Sequence, residues 1–259
     1  MQSSESKPAT TDLPNHSFVS RGLARKRIVV IGGTSGFGFA TAEKAGAEGA
    51  QIVIASSRRE KVDAALKRLP NTTEGHIVDL AREDQVKAFF DRIGPFDHLV
   101  FTAGDPLQLG GLAETTLEQA KQFFNIRFWG VFMAAKYGSR GIRAHGSIVL
   151  TNGLAGLRPQ KGWSVVASVC GALEALTRAL AIELAPIRVN LVCAGFVRTE
   201  LWNNVAENER EEMFAKAAQK LPARRVGEAA DLAETYLYLM RQGFSTGAMI
   251  LVDGGGAFA

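Results

Sequence analysis

Chemistry in this chain concentrates just after short apolar runs. The segment RIVVI (27–31) is followed by IGGTSGFG, which places Gly32, Gly36 and Gly38 at the spacing G-x-x-x-G-x-G, with Thr34, Ser35 and Phe37 between them, immediately before a helical pattern. Glycine at the first position permits a tight turn. At the second it lets main chain approach a pyrophosphate, and at the third it lets a helix pack closely on a strand. The helix that follows offers free amides and the positive end of its dipole, so the expected ligand is a phosphate anion. Two cysteines, Cys170 and Cys193, have no metal-ligand spacing and read as buried free thiols.

The elements around this turn alternate. Apolar runs at 27–31, 51–55, 74–78, 97–101, 146–150, 187–192 and 248–252 read as strands buried on both faces. Between them lie amphipathic stretches at 37–48, 59–68, 83–93, 117–137, 163–184 and 229–240. That order predicts an α/β, Rossmann-type, doubly wound sheet of seven parallel strands with helices on both faces. Ligands of such sheets sit outside the carboxyl ends of the strands, where strand order reverses. The stretch 199–225 is too long for a simple connection and reads as a helical flap over those ends.

From Lys26 to Gly255 the chain resembles the short-chain dehydrogenase/reductase superfamily. The resemblance rests on the glycine turn, Asp79 after the third strand, T-A-G at 102–104, Asn125, IRVN at 187–190, A-G-x-V-x-T at 194–199 and TGAMILVDGG at 246–255. It implies a nicotinamide dinucleotide, with Asp79 and Leu80 bordering the adenine, Thr102, Ala103 and Gly104 the ribose, Ile126 beside Asn125 on the cofactor side, and Gly195, Val197 and Thr199 near the nicotinamide. NAD enzymes end the second strand with a carboxylate for the ribose 2′-hydroxyl; here the residues are Ser56, Ser57, Arg58 and Arg59. Serine hydroxyls and a forked guanidinium suit a 2′-phosphate, so NADP(H) is expected.

The family's catalytic serine, tyrosine and lysine are missing. Alignment puts Gly153, Val166 and Cys170 in their places, and the chain's three tyrosines, Tyr137, Tyr236 and Tyr238, have no lysine four residues on. Loss of a positioned acid costs about 10²–10⁴ in the rate of carbonyl reduction. Hydride delivery to an iminium needs no proton, so an NADP(H)-dependent oxidoreductase acting on an iminium or similarly activated bulky substrate is expected. Asn125, Arg127, Trp163 and Asp105 are its candidate residues. Trp163 would stack on a cation and Asp105 would pair with one, while Arg127, in the apolar stretch FFNIRFWGVFMAA, must find a polar partner. Arg198, Trp202 and Gln160 are further flap or rim candidates. The pattern resembles fungal reductase/Diels–Alderases of indole-alkaloid biosynthesis, which leaves a cyclase and a non-redox NADP(H)-binding partner subunit as alternatives.

A net charge of +4 without a basic patch argues against nucleic acid, and no apolar run approaches the roughly 20 residues of a membrane span. Residues 1–24 are polar and Ser/Thr-rich and read as a flexible tail without a secretory signal; residues 25–259 read as one domain, in a cytoplasmic setting. The helices at 117–137 and 163–184 carry more apolar residues than one face needs, and the resemblance implies that they pair across a subunit interface, so a homodimer or homotetramer is expected.

Overall fold

A computed structural model describes residues 22–107 and 109–259. Seven strands form one parallel sheet: β1 (Arg27–Ile31), β2 (Gln51–Ser56), β3 (Glu74–Ile77), β4 (Phe96–Phe101), β5 (Ile142–Gly153), β6 (Arg188–Ala194) and, last in the chain, β9 (Met249–Val252), in the order β3-β2-β1-β4-β5-β6-β9. A two-stranded ribbon, β7 (Val197–Arg198) with β8 (Gly227–Glu228), stands apart from it. The helices are α1 (Gly36–Ala47), α2 (Arg59–Leu66), α3 (Glu83–Ile93), α4 (Leu117–Phe124), α5 (Val131–Gly138), α6 (Ser164–Glu183), α7 (Glu207–Lys220) and α8 (Ala229–Arg241).

Alternation along each strand feeds two cores. Val29, Ile31, Leu99, Phe101, Ile148 and Leu191 pack on the side of α3, α5 and α6. Their neighbours Ile28, Val30, Val100, Val149 and Val192 face α1 and α8, where Phe39, Leu232 and Tyr236 meet them. Each such side chain withdrawn from water contributes about 1.5–3 kcal/mol. Two-sided burial explains why these strands read as continuous apolar runs. β3 differs: it lies at the sheet edge with Glu74, Gly75 and Ile77 exposed, so the expectation of full burial fails there for want of a neighbour.

Three further features depart from expectation. The stretch 117–137 is not one helix; α4 passes into a π-helical turn over Asn125–Gly130 before α5 begins. With apolar residues at almost every position, this sequence carries little phase information, so one wide turn leaves its pattern unchanged. Leu23, placed in the tail by its polar surroundings, is 1% exposed and belongs to the core; residues 1–21 of that tail lie outside the described residues. Helix α6 is long and apolar enough to cross a membrane, against the expectation of strand-length runs only. It packs on the sheet through Val166, Val169, Leu173, Thr177 and Leu180, as a core helix does.

Order reverses between β1 and β4, whose ends pair Ile31 with Phe101. Thr102 closes the gap: its amide donates to the Ile31 carbonyl at 2.9 Å, and its hydroxyl lies 3.1 Å from that oxygen and 3.3 Å from the Gly32 carbonyl oxygen. The crevice opens directly above.

Candidate active site

A cavity of about 1300 Å³ runs along the strand ends, from Ser56 on one side to α7 on the other. Its floor is the glycine turn. Gly32 has φ +86°, and a β-carbon there would stand 2.6 Å from the Ala103 nitrogen. At Gly38 a β-carbon would meet the Gly32 carbonyl oxygen at 2.3 Å and the Thr102 hydroxyl at 2.4 Å. Both positions therefore exclude side chains by contact. Gly36 has φ +50° and opens α1, which takes no side-chain hydrogen bond at its N-cap, Ser35. The first amides of α1 are thus left to an anion in the cavity.

At the β2 end the cavity is lined by Ser56, Ser57 and Arg58, as expected, and also by Lys61. Arg59 corrects the expectation: it is the exposed first residue of α2 and does not line the cavity. Lys61 was missed because only the strand end was read; the first turn of α2 brings it back over the same space. Asp79 and Leu80 also line the cavity, with the Asp79 carboxylate accepting the Ala81 amide at 2.9 Å. Thr34, Ser35, Phe37, Thr102, Ala103, Gly104, Ile126, Gly195, Val197 and Thr199 all border it, whereas Gly38 is buried beneath.

The other end holds the candidate chemistry. Val166 and Cys170 on α6 line the cavity together with Gly153 at the end of β5, where a β-carbon would find its nearest neighbour 4.0 Å away. No tyrosine is among the described residues that line it. Burial raises the Cys170 thiol pKa, against the opposing pull of main-chain amides at Gly153 and Gly156 and of Arg127. Thr151 is spent: its hydroxyl lies 2.6 Å from both the Phe101 carbonyl oxygen and the Tyr236 hydroxyl. Asn152 turns its amide nitrogen toward the Cys170 carbonyl at 3.4 Å and the Glu174 carboxylate at 3.5 Å.

Asn125, Arg127, Trp163 and Asp105 all line the cavity, and Arg127 and Asp105 are in direct contact. Arg127 projects inward from the π-helical turn, donates to the main-chain carbonyl of Asp105 and lies 4.8 Å over the Phe123 ring. The polar partner that the sequence demands for Arg127 is thus a main-chain carbonyl. Burial lowers the guanidinium pKa, while Asp105 and Cys170 act the other way. Trp163 sits at the N-cap of α6, packed on the core and facing the cavity.

The flap forms the remaining wall. Phe196, just before it, meets Trp202 at 4.8 Å in a tilted arrangement and Phe214 edge-on at 5.6 Å, and Phe196, Trp202 and Met213 reach the cavity. Gln160 borders the cavity, but Arg198 does not. Arg198 instead bonds both Glu211 oxygens, at 2.6 and 2.9 Å, and covers the Phe214 ring at 4.3 Å. Met213 escaped the sequence reading because helix periodicity does not say which face of α7 turns inward, and Phe196 because it is the unspecified position of A-G-x-V-x-T.

Comparison with known proteins agrees with this geometry. A family profile described as an SDR-like Rossmann domain matches residues 19–259. The short-chain dehydrogenase/reductase ATR9 of Stachybotrys chlorohalonatus is 38% identical over 243 residues, covering 88% of this chain and 95% of the relative. The solved structure of MalC reductase/Diels-Alderase from Malbranchea aurantiaca superposes with a TM-score of 0.85 at 31% identity, covering 92% of this chain and 98% of MalC. A small-chain dehydrogenase in complex with NADPH gives a TM-score of 0.78 at 34% identity, covering 91% of this chain and all 100% of the other.

Proposed function

The chain belongs to the short-chain dehydrogenase/reductase family, and from that premise we propose that it is an NADP(H)-dependent oxidoreductase with a non-standard active site, reducing an iminium or similarly activated bulky substrate in secondary metabolism. The observation that carries this reading is the trio Gly153, Val166 and Cys170 on the wall where the family keeps serine, tyrosine and lysine.

The residues fit the cofactor. Gly32 and Gly38 tolerate no side chain, and the free amides of α1 answer a pyrophosphate. Ser56, Ser57, Arg58 and Lys61 supply hydroxyls and two cations for a 2′-phosphate, with no carboxylate at the end of β2 to repel it. When bound, NADPH supplies a hydride.

The chain's own residues then have three tasks. Trp163 offers an aromatic face and Asp105 a carboxylate to a cationic substrate, which loses its charge as the hydride arrives. Arg127 holds the Thr102–Asp105 segment in place through the Asp105 carbonyl. Phe196, Trp202 and Met213 shut out water and give apolar contact to a large substrate. None of these tasks requires a group that releases a proton near neutral pH. The experiment is NADPH oxidation with a panel of cyclic imines and matched ketones. Turnover of imines in preference to ketones is the expected result; tight NADPH binding without turnover of any imine would replace this reading with that of a non-redox binding partner.

A second reading, cyclisation in the same cavity, is favoured by the similarity to MalC, whose description includes Diels-Alderase. It expects cyclised product with NADP⁺ in place of NADPH. Assembly belongs to the same proposal: Trp129, Phe132 and Ile182 stand 51%, 41% and 82% exposed on the α4–α6 side, and a second copy of the chain would cover them. Light scattering of the purified protein tests for the dimer or tetramer.

A further inference from the structure

Glu200 opens the flap as the first residue of a short 3-10 turn, Glu200–Trp202. Its side chain does not point to solvent alone. One carboxylate oxygen comes within 3.5 Å of the β-carbon position of Gly36, the first residue of α1, and Glu200 lines the same cavity as the glycine turn. α1 has no acidic residue in its first turn and no side-chain cap, so the positive end of its dipole has no carboxylate of its own. Glu200 brings a carboxylate from the flap to within 3.5 Å of the Gly36 β-carbon position.

The rest of the flap is anchored elsewhere. Trp202 donates from its indole nitrogen to the Val197 carbonyl at 3.0 Å, Phe196 packs against the Trp202 ring and edge-on against Phe214, and Arg198 grips Glu211. Thr199 and Glu200 are the flap residues standing nearest Gly36, and Glu200 alone of the two is charged. We propose that the Glu200 carboxylate is a stand-in for the cofactor's pyrophosphate: it rests against the glycine turn when the site is empty and is displaced when a dinucleotide binds, which couples cofactor loading to the position of the flap. The inference rests on the NADP(H) reading above. Two like charges cannot share one dipole end at this range without cost, so the carboxylate weakens cofactor binding while it holds the flap down.

The test compares wild type, Glu200→Gln and Glu207→Gln, the last being an exposed flap carboxylate away from the cavity, by calorimetric titration with NADPH and by hydrogen–deuterium exchange. E200Q should bind NADPH about three- to tenfold more tightly, with E207Q unchanged. In the empty protein E200Q should exchange faster than wild type over residues 200–206, and saturating NADPH should erase that difference. Equal affinity of wild type and E200Q, or an equal gain in E207Q, overturns the proposal while leaving the cofactor reading intact. Failure of wild type to bind NADPH at all overturns both.

Discussion

Arg127 lies flush against Gly104: a β-carbon on that glycine would stand 2.9 Å from Nη1 of the guanidinium. The contact joins a helix residue to the turn after β4, and the hydrogen bond from Arg127 to the Asp105 carbonyl adds a second link one residue on. A buried cation whose Nε has no partner costs stability, so its value lies in what it holds.

This argument separates folding from activity. Arg127→Met keeps the bulk and removes the charge, so the unfolding midpoint should stay level or rise, while kcat/KM should fall about tenfold or more as Asp105 loses its support. Arg127→Lys should not rescue it, since an ammonium cannot reproduce the fork. Gly104→Ala, which pushes on the guanidinium from the other side, should show the same kinetic loss. Thermal melts beside steady-state kinetics check all three.

Restoring the family's residues should restore carbonyl chemistry. The space at Gly153 is open, with nothing within 4.0 Å of a new β-carbon except the Ala194 carbonyl oxygen at that limit. The triple variant Gly153→Ser, Val166→Tyr, Cys170→Lys should therefore raise ketone reduction by about 10² over wild type, measured as NADPH oxidation with a diketone. Cys170→Lys alone should lower stability, because it buries an ammonium in the same site as Arg127 with no phenol to serve.

The same residues show what could be read from the chain. The turn from Gly32 to Gly38 was legible because its glycine spacing stands directly between an apolar strand and a helix, although the atoms that demand two of those glycines come partly from Thr102 and Ala103 at the distant end of β4. Arg127 was legible as a cation in need of a partner, yet its partner is a main-chain carbonyl 22 residues earlier, which no side-chain pattern records. Lys61, Phe196 and Met213 depend on how α2 and the flap are set against the sheet, and that is decided by tertiary packing. Leu23 was hidden by its polar neighbours, and the π-helical turn at Asn125–Gly130 by a surplus of apolar ones.

Nucleotide preference should follow the cations at the end of β2. Arg58→Ala and Lys61→Ala should each weaken NADPH binding about tenfold or more while leaving NADH nearly unaffected, because each removes a cation lining the end of the cavity proposed for the extra phosphate. Arg59→Ala should change neither, as Arg59 lies outside the cavity. Ser56→Asp should reverse the preference by placing a carboxylate where NADP(H) carries its phosphate. Fluorescence titration with both nucleotides decides the point.

Stability should fall with acid through one buried imidazole. His98 on β4 is 4% exposed, its Nδ1 lies 2.9 Å from the Ser147 hydroxyl, and burial, reinforced by Arg188, lowers its pKa from 6.5 to about 4. The unfolded chain then binds a proton below pH 6.5 that the folded chain refuses until about pH 4. The contribution is therefore fully present above pH 6.5 and is lost as pH falls through that window, by up to about 3 kcal/mol. Urea unfolding of wild type and His98→Gln across this range checks it: the variant should be less stable at neutral pH and should show a flatter acid slope, and parallel slopes would remove His98 as the cause.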